Sequence, residues 1–261
     1  MPRRRLAASL TLLLLASAAA ICAPAAFAAA PVRLAVGFAP DARLGAMTPI
    51  TAELRIDPHI RPAPLTSMTL QYPGSLGITT SGLGLAGCRR PAADFQLVSI
   101  DAIGLAGCSA NAVMALGDAH AQVRIGTYRF AATAKVTVLA GVYGDDGLGL
   151  VAFVDGINPL GYKLAYHGVA GSSPAPFGGQ LGITLPTIPD LPDDASFALT
   201  RLRLSIGDPR IVYVDRGRRF RPDGIELPRR CPRGGFRFRA ELGFDDGSST
   251  KVETRTACPR R

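Results

Sequence analysis

Residues 236–256 read FRFRAELGFDDGSSTKVETRT, and this stretch predicts a β-hairpin. Before the Asp-Asp-Gly sequence, apolar side chains alternate with polar residues or glycine, and after it threonine and valine alternate with charged residues. Because successive side chains of a strand point to opposite faces, this period of two gives each strand one apolar and one largely polar face. The apolar face of the first strand consists of Phe236, Phe238, Ala240, Leu242 and Phe244.

The length of the hairpin loop determines which side chains face each other. A two-residue turn at 246–247 would set Leu242 opposite Lys251 and mix the two faces. A three-residue loop at 245–247, with its glycine in the left-handed conformation, matches the faces instead. The pairs it predicts are Phe244 with Ser248, Ala240 with Val252, Glu241 with Lys251, and Arg239 with Glu253.

The open end of the hairpin carries a like-charge pair and two cysteines. The same register sets Arg237 opposite Arg255, which is unfavourable unless that end is solvated. It also sets Cys258 opposite Gly234, three residues from Cys231. A disulfide between the two cysteines would therefore pin the open end of the hairpin.

Four cysteines lie in the part of the chain that we expect to be exported. An even number of cysteines in an exported protein predicts disulfides, and we expect the pairs Cys88–Cys108 and Cys231–Cys258. Each would stabilise the fold by about 3–4 kcal/mol. Four thiolates could instead hold zinc, but no Cys-x-x-Cys spacing occurs, and we predict no metal site.

Alternating runs elsewhere predict that the rest of the chain is also β. Glycine (29 residues) and proline (21) are frequent and helical periodicity is hard to find, which favours a sandwich or barrel. We predict an all-β fold of one or two Greek-key or immunoglobulin-like β-sandwich modules, at 29–145 and 146–261. The strand regions we expect are 66–72, 121–125, 128–143, 148–154 and 199–206.

The first 28 residues predict a signal peptide. Residues 1–5 contain three arginines, residues 6–21 are mostly apolar, and Ala26-Phe27-Ala28 offers a cleavage site with small residues. The apolar run is shorter than the roughly 20 residues of a membrane-spanning helix. We expect cleavage before Ala29 and a secreted or cell-envelope protein without a transmembrane segment. The export route, general or twin-arginine, is open.

Positive charge is concentrated near the C-terminus. The chain has a formal net charge of +9, and residues 201–261 contain 16 basic and eight acidic residues. Arginine binds oxyanions bidentately, so an anionic polymer of the cell surface is a candidate partner, while nucleic acid is not expected after export. A solvated face is the alternative for such a charge run. The candidate binding residues are Arg216, Arg218, Arg219 and Arg221.

No pattern in the sequence predicts catalysis. The three histidines, His59, His120 and His167, are far apart, and the acidic pairs at 145–146, 193–194 and 245–246 adjoin turn or proline residues. Phosphate-loop and dinucleotide motifs are absent. We therefore predict no catalytic residue and no cofactor. A carboxylate pair assembled from distant strands, as in glycosidases, is the alternative.

The segment CPRGGFRFRA at 231–240, with FDDGS at 244–248 and Cys258, resembles the C-terminal module of secreted, uncharacterised β-rich proteins of high-GC Gram-positive bacteria. The proline-repeating stretch at 185–192 and PLTSMTL at 64–70 are similar to other parts of the same group. The resemblance implies exported β structure and no known activity. We accordingly expect a non-enzymatic extracellular or envelope protein with a binding or structural role; the alternative is a carbohydrate-active or other secreted hydrolase.

Overall fold

The computed structural model describes residues 31–60, 63–78, 82–88, 105, 108–143, 147–159, 161, 163–185 and 195–259. The predicted signal peptide and residues 186–194 of the proline-repeating region lie outside these ranges. The predicted boundary between the two modules, between residues 145 and 146, also lies outside the described residues and stays a prediction. Within the described residues, no helix has the length and apolar character needed to cross a membrane.

The described chain is built from β-strands, and the predicted all-β class is confirmed. A 3₁₀ turn spans Ala110–Ala112. The strands are β1 (Val32–Phe38), β2 (Met47–Thr48), β3 (Ile50–Ile56), β4 (Leu65–Pro73), β5 (Val113–Ile125), β6 (Tyr128–Tyr143), β7 (Gly147–Asn158), β8 (Lys163–Ser172), β9 (Gly178–Thr184), β10 (Ala195–Ile206), β11 (Tyr213–Asp215), β12 (Arg218–Phe220), β13 (Ile225–Glu226), β14 (Phe236–Phe244) and β15 (Ser249–Thr256).

Eleven of the strands in the described ranges form one antiparallel sheet. Their order across the sheet is β1-β3-β10-β5-β6-β7-β8-β9-β4-β14-β15. In this order β10 lies between β3 and β5, and β4 lies between β9 and β14. Strands that are far apart in the sequence are therefore neighbours in the sheet. The short pairs β11–β12 and β13–β2 are separate two-stranded sheets.

The large sheet curls until its two edge strands, β1 and β15, contact each other. The Thr256 hydroxyl donates a hydrogen bond of 2.5 Å to the Val36 carbonyl oxygen. Next to this contact, the rings of Phe38 and Phe236 pack edge-to-face with their centroids 4.9 Å apart. Since exposed strand edges invite pairing with other chains, this contact also protects both edges.

The predicted hairpin register is confirmed in β14 and β15. Arg239 pairs with Glu253, and Glu241 pairs with Lys251. Gly247 closes the three-residue loop at φ 76°, in the left-handed conformation that glycine adopts at little cost. The inward side chains of β14 are at most 4% exposed, as their alternation predicts.

Both predicted disulfides are present. Cys231 and Cys258 have Cα atoms 5.9 Å apart at the open end of the hairpin. Cys88 and Cys108 have Cα atoms 4.7 Å apart. Cys88 packs with Leu139 and other apolar side chains of β6, β7 and β8 in a small second core. This core lies on the outer face of the sheet, because Leu139 alternates with Val136 and Val138 of β6, which line the interior.

Connecting segments fill one end of the curled sheet. Ile225 and Leu227 are fully buried there and belong to the main hydrophobic core. The hydroxyl of the buried Tyr213 donates to the Val113 carbonyl oxygen at 2.6 Å and accepts from the Gly84 amide at 2.8 Å. These bonds attach the 213–220 hairpin and the 82–88 segment to the sheet.

Candidate functional site

The interior of the curled sheet contains an apolar cavity of about 350 Å³. Side chains from all strands between β3 and β4 in the sheet order line it, and most of them are alanine, valine, leucine or isoleucine. Ligand sites in proteins are typically concave, mostly apolar spaces of about 300–1,000 Å³. The cavity is therefore the leading candidate for a functional site.

The cavity exists because small side chains point inward on adjacent strands. In β5 and β6, Ala119 pairs with Ala134 and Ala121 pairs with Ala132. All four line the cavity, as does Ala152 of β7. Larger inward residues would fill a curled sheet of this kind with their own side chains. Alanine leaves that volume open.

Strand β10 pairs with β5 directly beside these alanines, with Leu202 opposite Ala119 and Leu199 opposite Ala121, and it presents larger side chains that are only partly buried. Its inward residues Leu199, Leu202, Leu204 and Ile206 are intermediate in exposure although they belong to a central strand. The inward residues of β14, by contrast, are almost completely buried. Apolar and polar side chains alternate in β10 as predicted. Its apolar face packs against the core and also lines the cavity.

Polar groups lie near one end of the cavity. Thr66, Ser196 and the exposed Asp245 line it where β4 and β10 begin and the β14–β15 loop turns. The Asp245 amide donates to the Pro64 carbonyl oxygen at 3.0 Å, and the Leu185 amide donates to the Thr66 carbonyl oxygen at 2.7 Å. Since Asp245 is both lining and exposed, this end is the rim of the cavity. The segments around Ile225 fill the other end.

The lining offers little chemistry beyond apolar contact. Asp245 is the one carboxylate among the described lining residues, which include no histidine, cysteine, lysine or arginine. Thr66, Thr133, Tyr166 and Ser196 supply hydroxyl groups. Such a site can hold a ligand by exclusion from water and orient it through a few hydroxyls at its rim.

The histidines and acidic residues considered in the sequence analysis lie at separate places within the described part of the chain. His120 lies 3.3 Å from Asp118 on the outer face of β5. Burial lowers the pKa of His167, on the outer face of β8. Within the described ranges, no group of three or more His, Cys, Asp or Glu residues could hold a metal ion. Of the acidic pairs, only 245–246 is described, and the Asp246 carboxylate accepts from the Ser248 amide at 2.9 Å in the hairpin loop.

The four predicted anion-binding arginines lie on the β11–β12 hairpin and are all exposed. Arg216 and Gly217 form its turn, with φ values of 48° and 81°. Arg218 pairs with Asp215 and Arg219 with Val214, so neighbouring arginines of β12 point to opposite faces. The hairpin presents its positive charge on more than one side.

A second set of arginines lies on the polar face of β14, where the sequence predicted ion pairs. Arg237 and Arg239 both hydrogen-bond the carboxylate of Glu253. These bonds hold the pKa of Glu253 below its ordinary value. The guanidinium carbon of Arg239 lies 4.7 Å, and that of Arg237 5.7 Å, from the centre of the Phe177 ring. Nothing in the sequence indicated that the ring of Phe177 would lie next to these two guanidinium groups.

Comparisons of the chain with known protein families, with curated proteins and with solved structures find no match.

Proposed function

We propose that the protein is a non-enzymatic binding protein that holds an apolar molecule, such as an acyl chain, in the cavity of its curled sheet. It acts outside the cytoplasm, in secreted form or at the cell envelope, after loss of the signal peptide at residues 1–28. The observation that supports this proposal best is the apolar cavity of about 350 Å³ bordered by inward-facing alanines.

The energetics favour an extended apolar ligand. Burying a methylene group contributes about 0.8 kcal/mol, so an acyl chain gains affinity with each carbon that enters the cavity. The cavity lies near the lower end of the size range for ligand sites, so a single chain fits it better than a large ring system. A polar end group would remain at the rim near Thr66 and Ser196.

Two further features support a binding protein outside the cytoplasm. Disulfides persist in oxidising compartments, and both cysteine pairs of the described chain are linked. A glycosidase-type hydrolase would need a second carboxylate facing Asp245 across the site. The described lining residues do not supply one, so we favour binding over hydrolysis.

A filled-cavity variant tests the proposal. The mature chain from Ala29 is titrated with cis-parinaric acid, a polyene fatty acid whose fluorescence rises when its acyl chain enters apolar surroundings. We expect saturable binding to the wild type and at least a tenfold loss of affinity in Ala121→Phe, because the ring occupies the cavity. Ala131→Phe is the matched control, since Ala131 is an exposed residue of β6 outside the cavity.

Both variants are first checked by circular dichroism for a wild-type spectrum. If Ala121→Phe misfolds, the smaller Ala152→Leu takes its place. Equal affinity of the cavity variant and Ala131→Phe would exclude the cavity as the binding site. Absence of saturable binding to the wild type would refute the proposal itself.

A further inference from the structure

A groove of about 490 Å³ lies beside the Cys231–Cys258 disulfide, on the outside of the molecule. Its walls are the 73–75 turn, Pro176 with Phe177, and the open end of the β14–β15 hairpin with the preceding turn. Three arginines line it, Arg233, Arg237 and Arg255, and none of its described lining residues is acidic. The groove is separate from the apolar cavity.

The charges in this groove are not balanced within the described part of the chain. Arg237 pairs with Arg255 across the hairpin, and like charges in that arrangement are destabilising. Glu253 offsets Arg237 but also binds Arg239. No described carboxylate lies within ion-pair distance of Arg233 or Arg255. An anion between these side chains would remove the repulsion.

Side-chain contacts hold one of the three arginines, Arg237, in place before any ligand arrives. Arg237 donates through Nε and Nη2 to one oxygen of Glu253, at 2.7 and 2.5 Å. The buried Phe177 ring lies beneath its guanidinium group. A site that is already ordered loses less conformational entropy when it binds.

Two consecutive glycines shape the wall that carries Arg233. Gly234 and Gly235 have φ values of 77° and 84°. A Cβ atom on Gly235 would lie 2.5 Å from the Thr256 carbonyl oxygen, and one on Gly234 would lie 3.3 Å from Nη1 of Arg255. Only glycine lets this turn lie so close to β15, and a guanidinium nitrogen of Arg255 lies next to Gly234.

We propose that this groove binds an oxyanion, the phosphate or carboxylate group of a larger molecule. Guanidinium groups form paired, charge-assisted hydrogen bonds with both kinds of oxyanion. Ser75 adds a neutral hydroxyl donor to the lining. The site differs from the β11–β12 arginines predicted from the sequence, because its three guanidinium groups border one concave space.

Amide chemical shifts of the ¹⁵N-labelled mature protein test the site. Sodium phosphate and sodium glucuronate are titrated separately at constant ionic strength. We expect saturable shifts at the Gly234 and Gly235 amides with at least one of the two anions, and the responding anion identifies the oxyanion. Shifts spread evenly over all arginine-rich segments, or no saturable shift with either anion, would overturn the proposal.

Two double variants with the same charge change locate the binding. Arg233→Ser with Arg255→Ser should weaken the affinity at least tenfold, whereas Arg218→Ser with Arg219→Ser should leave it within about twofold. All four positions are exposed, so both variants should fold. An equal loss in both would mean that net charge alone governs binding, and a larger loss in the second would assign binding to the β11–β12 hairpin. Either result would refute the groove.

Discussion

Removal of the Cys231–Cys258 disulfide should destabilise the protein by about 3.6 kcal/mol at 25 °C. The two cysteines are 27 residues apart in the sequence. The chain-entropy model converts that separation into this loss, because the open chain has more conformations in the unfolded state. Cys231 is exposed, so its replacement by serine in the variant Cys231→Ser with Cys258→Ser buries no new polar group at that position.

The second disulfide provides an internal comparison. Its separation of 20 residues corresponds to about 3.3 kcal/mol by the same model. Cys88, however, is only 1% exposed and packs in the outer core. A serine hydroxyl buried there without a partner costs about 1–3 kcal/mol more. We therefore expect Cys88→Ser with Cys108→Ser to lose more stability than the hairpin variant.

Urea unfolding without reductant measures both losses. The chain has no tryptophan, so far-ultraviolet circular dichroism is the appropriate signal. Each variant must show the wild-type spectrum in the absence of urea. A loss below about 1 kcal/mol in the hairpin variant would refute the entropic reasoning. A larger loss there than in the Cys88 variant would refute the role we give to burial.

Two further predictions concern single residues and use the same unfolding measurement. Gly117→Ala should lower the free energy of unfolding by about 3 kcal/mol, because the new Cβ would lie 2.0 Å from the Arg203 carbonyl oxygen. The control Gly182→Ala makes only ordinary contacts and should change it by less than about 0.5 kcal/mol. Equal effects of the two substitutions would contradict the clash. Hydrogen bonds from Arg210 hold the pKa of the buried Asp208 below its ordinary value. Asp208→Asn should therefore cost about 1.5–3 kcal/mol at pH 7. The greater unfolding free energy of the wild type is fully present above the pKa of about 3.9 that an aspartate has in the unfolded chain. It is lost as the pH falls through the lower pKa of Asp208 in the folded protein. A difference that is the same at pH 7 and pH 2 would show that the carboxylate charge is not its source.

The β14–β15 hairpin could be predicted in full because its determinants are local. Side-chain alternation defines the two faces, and the left-handed Gly247 defines the loop. The strand at 128–143 was also predicted with its observed bounds, since its largely apolar sequence stops at the Gly-Asp-Asp-Gly sequence at 144–147. Each of these features depends on residues close together in the chain.

The order of the strands could not be predicted, because it depends on contacts between distant segments. Strand β10 lies between β3 and β5 although long stretches of chain separate it from both. Its alternating face pairs equally well with any apolar strand face. Sequence periodicity shows which side of a strand is buried, but not which strands adjoin it.

The cavity was missed because alanine is a weak signal. Sequence reasoning treats every inward apolar residue as core, whatever its size. Alanine is, however, uncommon in strands, and here it recurs at alternate positions in two strands that form a hairpin, at 119 and 121 and at 132 and 134. That repetition of a small residue on one face is the signal that could have indicated an interior with space left in it.

Two covalent links help the fold to keep such a space. Side chains that border an open interior make fewer contacts there, which costs stability. The two disulfides together contribute about 7 kcal/mol through the unfolded state and so favour the folded chain independently of how its interior is packed. Disulfides form and persist mainly in oxidising compartments, so these two links are consistent with an extracellular protein. An apolar ligand would then add stability to a fold that stands without it, and its binding should raise the unfolding midpoint in proportion to its affinity.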